Sequence, residues 1–256
     1  MRGAALALTP ARPLIAGNWK MNGVEASLDE ARTLAALVDE RPPAARVALC
    51  PPATLIARMA DMLAGCGILV GGQDCSERAR GAFTGDVSAA MLADAGARLV
   101  ILGHSERREH HGETDAIVAA KVRQALSAGL EPIVCVGENL RQREADEAIA
   151  VVGAQARASL PPILAGHAFA LAYEPIWAIG SGQIPDLADI EAVHGALRET
   201  LTELFEADGR SIPILYGGSV NAGNAASILK GKEVGGALVG GASLEAAKFA
   251  PIIRAI

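Results

Sequence analysis

The stretch FALAYEPIWAIGSG, residues 169–182, decides the fold. Its first five residues are apolar without polar alternation, the pattern of a strand buried on both faces of a parallel sheet. The strand runs straight into a carboxylate, Glu174, and then into a glycine-bearing loop. An amphipathic stretch at 189–205 follows and predicts a helix. Working outward, the same unit repeats. Short runs rich in Val, Ile and Leu lie at 13–19, 46–50, 68–72, 98–102, 132–136, 212–216 and 237–239. Amphipathic stretches at 27–39, 114–128 and 143–158 separate several of them. Ser27 followed by Glu30 predicts a capping box at the head of the first helix. Gly129 is placed to stop the helix before the fifth strand.

Eight strands with helices between them predict a closed parallel (β/α)8 barrel, and the 256 residues match the usual length of about 250 for that fold. The alternative is an open doubly wound sheet, but no GxGxxG follows the first strand. Without a Ser/Gly linker, low-complexity tract or shift in composition, one domain over 1–256 is expected, with 1–12 as an N-terminal tail and lead-in.

Composition narrows the function classes. Hydrophobic residues make up 51%, enough for a large core and against disorder. The formal charge of −6, without a basic run, disfavours nucleic-acid binding. An anionic ligand therefore needs a local site rather than the field of the whole chain. No apolar run approaches the ~18 residues of a membrane span. The start lacks a long apolar region with a cleavage site, and the four cysteines (Cys50, Cys66, Cys75, Cys135) form no CxxC pair. Reduced thiols in a cytoplasmic protein, with no metal and no membrane partner, are expected.

In a parallel barrel, catalytic groups collect where the strands end. The first strand is followed by Asn18-Trp19-Lys20 and the fourth by Gly103-His104-Ser105-Glu106. Glu174 begins the loop after the sixth, Gly217-Gly218-Ser219 follow the seventh, and Gly240-Gly241 the eighth. Both Trp and both Tyr of a chain with 3% aromatics lie in or beside these segments, which argues against chance.

Six of these segments occur in one order: AGNWKMN (16–22), GAFTGDVSAAML (81–92), LGHSERR (102–108), YEPIWAIGSG (173–182), YGGSV (216–220) and LVGGASL (238–244). Together they resemble the triosephosphate isomerase family, over almost the whole chain beyond its first dozen residues. The resemblance implies the TIM barrel and interconversion of dihydroxyacetone phosphate with D-glyceraldehyde 3-phosphate through an enediol(ate), with no cofactor. It implies Glu174 as the base, His104 as a neutral electrophile and proton relay, and Lys20 as the cation for phosphate and transition-state charge. Glu106 is expected to pair with Lys20 and orient it, and Asn18 to hydrogen-bond near the substrate oxygens. Asn18 and Lys20, two apart, are expected on one side of an extended segment. Gly180, Ser219, Gly240 and Gly241 are expected to grip the phosphate through backbone N–H groups. Residues 175–182 resemble the family's lid, with 175–177 as its N-terminal hinge. The loop 74–86 resembles the family's docking loop, which implies a homodimer in which Thr84 reaches the neighbour's site near Asn18, with Cys75 at or near that contact.

Some positions depart from the family. Ser181 stands in place of Thr, Gln183-Ile184-Pro185-Asp186 differ at the second hinge, Asp86 replaces Glu, and Gly235-Gly236 replace Asp-Gly. Two other readings compete: a paralogous isomerase of a four-carbon keto-sugar phosphate, and a non-catalytic phosphate-binding scaffold. The complete lid and GNWKMN favour the three-carbon substrate, and a positioned base is superfluous for binding alone.

Overall fold

The structure is a computed structural model and describes residues 12–179, 183 and 185–256. Eight strands close into one parallel barrel in chain order: β1 (Leu14–Asn18), β2 (Arg46–Cys50), β3 (Ile68–Gly72), β4 (Leu99–Leu102), β5 (Glu131–Val136), β6 (Ala170–Tyr173), β7 (Ile214–Tyr216) and β8 (Gly236–Val239). The ring shuts where β1 pairs with β8, Leu14 opposite Gly236. The open-sheet alternative is thereby excluded.

Alternation along the strands builds two concentric cores. Leu14, Ala16, Ala48, Cys50, Ile133 and Cys135 are among the residues that point inward and fill the barrel. Their neighbours Ile15, Val47, Leu49, Val134 and Val136 point outward against the helices. Small Ala and Cys side chains suit a narrow interior, and burial pushes the Cys50 thiol up to about 12.

The helices among the described residues are α1 (Leu28–Glu40), α2 (Ile56–Met62), α3 (Ala89–Asp94), α4 (Ser105–His111), α5 (Asp115–Ser127), α6 (Leu140–Glu144), α7 (Ala148–Ser159), α8 (Leu187–Phe205), α9 (Ala225–Leu229) and α10 (Ala246–Ile253). None is long and apolar enough to cross a membrane. Gly129 stops α5 as expected, at φ +73°. The expected helix 143–158 is two helices, broken at Asp146, which takes φ +57°.

The expected capping box at Ser27 and Glu30 does not form. A short 3₁₀ turn, Glu25–Ser27, leads into α1 and gives Ser27 helical angles (φ −71°, ψ −14°), so its hydroxyl caps nothing in α1. It accepts instead from the Val24 N–H at 3.1 Å. Glu30 accepts the Ala246 N–H at 2.7 Å, capping the start of α10 from 216 residues away. A true capping box forms at Asn139 and Gln142, where the chain enters α6 extended.

Candidate active site

β1 ends at Asn18, and the chain then turns sharply. Lys20 adopts φ +53°, so the expected extended projection is corrected. Asn18 Oδ1 accepts the Lys20 N–H at 3.0 Å, closing the turn. Left-handed backbone on a branched-free but Cβ-bearing residue costs on the order of 1 kcal/mol. Gln73 offsets that cost, donating from Nε2 to the carbonyls of Lys20 and Cys50, both at 2.8 Å. The Lys20 ammonium is thereby aimed at Glu106, whose Oε1 lies 2.6 Å away.

His104 caps α4, its extended backbone (φ −53°, ψ 144°) turning into the helix at Ser105. Its Nδ1 accepts from the Glu106 N–H at 3.3 Å. Its Nε2 lies 2.9 Å from Glu174 Oε1. The His104 tautomer in this pose carries its proton on Nε2 and donates it to the carboxylate.

Glu174 leaves β6 into a space cleared by glycines. A Cβ on Gly137 would lie 1.9 Å from the Glu174 carbonyl oxygen, and one on Gly217 3.0 Å from Glu174 Cγ. The carboxylate is 1% exposed. Oε2 accepts the Ser105 N–H at 3.0 Å, and Oε1 accepts the Ser105 hydroxyl at 3.1 Å besides His104. Burial alone would raise its pKa, but the His104 imidazole and the Ser105 donors outweigh burial and hold it below the ordinary carboxylate range. Burial likewise works against a charged His104, yet the adjacent Glu174 carboxylate wins and raises the imidazole.

A cavity of about 410 Å³ opens at the ends of these strands, lined by Asn18, Lys20, His104, Ser219, Gly240 and Gly241. Six of the expected site residues thus line one cavity. Glu106 borders the adjoining cavity, with Asn18, Lys20 and His104 common to both. Glu174 lies behind His104 rather than on the wall. Gly180, Ser181, Gly182 and Ile184 fall outside the described residues. Asn224 Nδ2 holds the Ser219 carbonyl at 3.0 Å, and a 3₁₀ turn opens at Gly241, where a Cβ would meet only open space.

Three residues escaped the sequence reading. Ser105 opens the helical turn after His104, but nothing in LGHSERR signals its hold on both Glu174 oxygens. Gln73 gave no signal. Glu138 is fully buried and accepts from the Tyr173 hydroxyl at 3.0 Å and the Trp177 indole at 2.8 Å, tying down the segment after the base. Its place straight after β5 was the available clue. Pro175 leads into a 3₁₀ turn at Ile176–Ala178, within the segment expected as the lid and its N-terminal hinge.

The loop 74–86 closes on itself, with Ser76 donating to Asp86 at 2.8 Å, and exposes Phe83. Cys75 is buried within the single subunit, its Sγ 3.9 Å from the Lys121 carbonyl. Among the described residues no group of three His, Cys, Asp or Glu side chains is arranged to hold a metal ion.

Residues 13–256 match the profile of the family described as Triosephosphate isomerase. Triosephosphate isomerase of Caulobacter vibrioides is 57% identical over 98% of this chain and 99% of its own length. That of Xanthobacter flavus is 55% identical over 96% and 98%. The solved triosephosphate isomerase of Bartonella henselae superposes with a TM-score of 0.89 at 44% identity, covering 95% of this chain and 98% of its own.

Proposed function

The chain belongs to the triosephosphate isomerase family, and on that premise we propose how its residues divide the work. The reaction is the interconversion of dihydroxyacetone phosphate and D-glyceraldehyde 3-phosphate, an aldose–ketose isomerisation of glycolysis and gluconeogenesis. It requires a base at the carbon beside the carbonyl, donors for the developing oxyanion and a hold on the phosphate.

Glu174 is the base. At rest both its oxygens are occupied by Ser105 and His104, so it must leave them and turn toward the cavity to reach a carbon-bound proton. That movement adjusts both partners. Away from His104 and Ser105, the carboxylate loses the contacts that depress it, and its basicity rises toward the task. His104 loses the anion that raises it, and burial then favours the neutral imidazole, a state this family is already known for. With Nδ1 committed to the Glu106 N–H, Nε2 carries the one donatable proton to the substrate oxygens.

Lys20 attracts the phosphorylated sugar and stabilises the developing negative charge, and Glu106 positions it. Asn18 holds the Lys20 turn and reaches the substrate side of the cavity. The backbone at Ser219, Gly240 and Gly241, with Gly180 of the lid, takes the phosphate. The lid over 175–182 excludes water and keeps the enediol(ate) from expelling phosphate. No cofactor or metal is needed for this chemistry. The protein works in the cytoplasm as a homodimer through loop 74–86, a reading supported by exposed Phe83 and Met21 beside the site-forming loops.

The observation that carries this reading is a carboxylate, an imidazole and an ammonium linked edge to edge, at 2.9 Å and through Glu106 at 2.6 Å, beside a cavity floored by glycines. A coupled assay comparing three- and four-carbon keto-sugar phosphates side by side tests it. Turnover of the three-carbon substrate is expected to dominate; preference for the four-carbon one would overturn the assignment.

A further inference from the structure

We propose that Arg143 is a positioning residue for the isomerisation, holding the segment that carries Glu174 in register with helix α8. Arg143 lies on α6, outside every segment that carried the family resemblance. Its guanidinium carbon stands 5.7 Å from the centre of the Trp177 ring, over its face. Its Nη2 is 2.6 Å from Asp189 Oδ1, in the first turn of α8. One planar cation therefore grips two points of the chain, residue 177 within the connection between β6 and α8 and residue 189 in α8 itself.

The grip reaches the base through a short and stiff path. Trp177 is three residues from Glu174, and between them lie Pro175, with its ring-fixed φ, and the start of the 3₁₀ turn at Ile176–Ala178. Glu138 holds the edge of the same indole, so the ring is fixed by an anion at its N–H and a cation over its face. Tyr173, the residue before the base, shares that Glu138 oxygen. Burial works against the charge on Arg143, and the Asp189 carboxylate outweighs burial and raises its pKa, so the guanidinium is charged whenever the enzyme works. Arg suits the place and Lys does not match it, because a planar fork stacks on an indole and pairs with a carboxylate at once.

This rests on Glu174 being the base. The test measures kcat and KM separately for Arg143→Met, Arg143→Lys, Asp189→Asn and the Met/Asn double variant, with circular dichroism and thermal midpoints alongside, and Glu174→Gln as the reference. Arg143→Met keeps the aliphatic stem and is expected to lower kcat about tenfold with KM within about twofold. Arg143→Lys is expected to recover part of that loss, and Asp189→Asn to lose about threefold. The double variant is expected to be no worse than Arg143→Met alone, because both break one bridge. Unchanged kcat in both Arg143→Lys and Asp189→Asn, a loss confined to KM, losses that multiply, or losses that follow the thermal midpoint would overturn the proposal. Should Arg143→Met fail to fold, Asp189→Asn and Arg143→Lys decide alone. Wild-type turnover in Glu174→Gln would instead sink the assignment of the base, which keeps the two failures apart.

Discussion

On one side of the cavity lie Asn18, Lys20, His104 and, behind them, Glu174, each held by at least one hydrogen bond or ion pair. On the side of β7 and β8 the wall is rich in glycine, with Gly217, Gly218, Gly240 and Gly241 around Ser219, and Val220, Asn221 and Leu238 beside them. The first side needs particular functional groups, held by other side chains, because protons move there. The second needs only backbone close to a ligand, and glycine is the residue that lets it approach. Chemistry and grip are thus built from different material on the same barrel.

Glu174→Gln strikes the side-chain wall hardest. It is expected to fold and to lose about 10³-fold or more in kcat, about 4 kcal/mol of barrier, in a coupled assay. Lys20→Ala comes next. The expected loss is about 10²-fold in kcat/KM, with KM raised and inhibition by inorganic phosphate weakened; unchanged inhibition would place the cation role elsewhere. Two glycines then divide the walls. Gly217→Ala puts a Cβ 3.0 Å from both Glu174 Cγ and the Tyr173 carbonyl oxygen, and is expected to lower kcat about tenfold. Gly241→Ala meets only open space, and is expected to raise KM a few-fold while leaving kcat nearly intact. Equal effects on kcat from the two would erase the distinction.

The smallest effect concerns pH. Glu174 is lowered in the folded protein, so it adds stability above the unfolded carboxylate range and loses it as pH falls through the lowered value. His104 is raised, so it adds stability below the unfolded imidazole range and loses it as pH rises through the raised value. The gap in urea midpoint between wild type and Glu174→Gln is therefore expected to be widest near the middle of that window and to shrink at both ends. A gap independent of pH would detach Glu174 from His104.

The barrel was legible because inward and outward residues are both apolar in a parallel sheet, which leaves uninterrupted Val, Ile and Leu runs. Strand edges were less so: β7 starts at Ile214 rather than 212, since Pro213 has no N–H to pair. The reacting residues were legible because few residue types perform their chemistry. What stayed hidden were partners fixed only in space. Gln73 supports a strained lysine from 53 residues away, and Glu138 meets Trp177 across 39. Glu30 misled for the same reason. Its local spacing fitted one helix, while its carboxylate serves another.

That last contact has a bearing on how the molecule is made. β1 offers one edge to β2 and the other to β8, and α1 reaches α10 through Glu30. On the ribosome, the first strand emerges early and must wait with a bare apolar edge until the eighth has been synthesised. For most of translation the nascent chain is an unfinished ring, and the interval before closure, rather than any state of the completed enzyme, is when it is most exposed to pairing with another copy of itself.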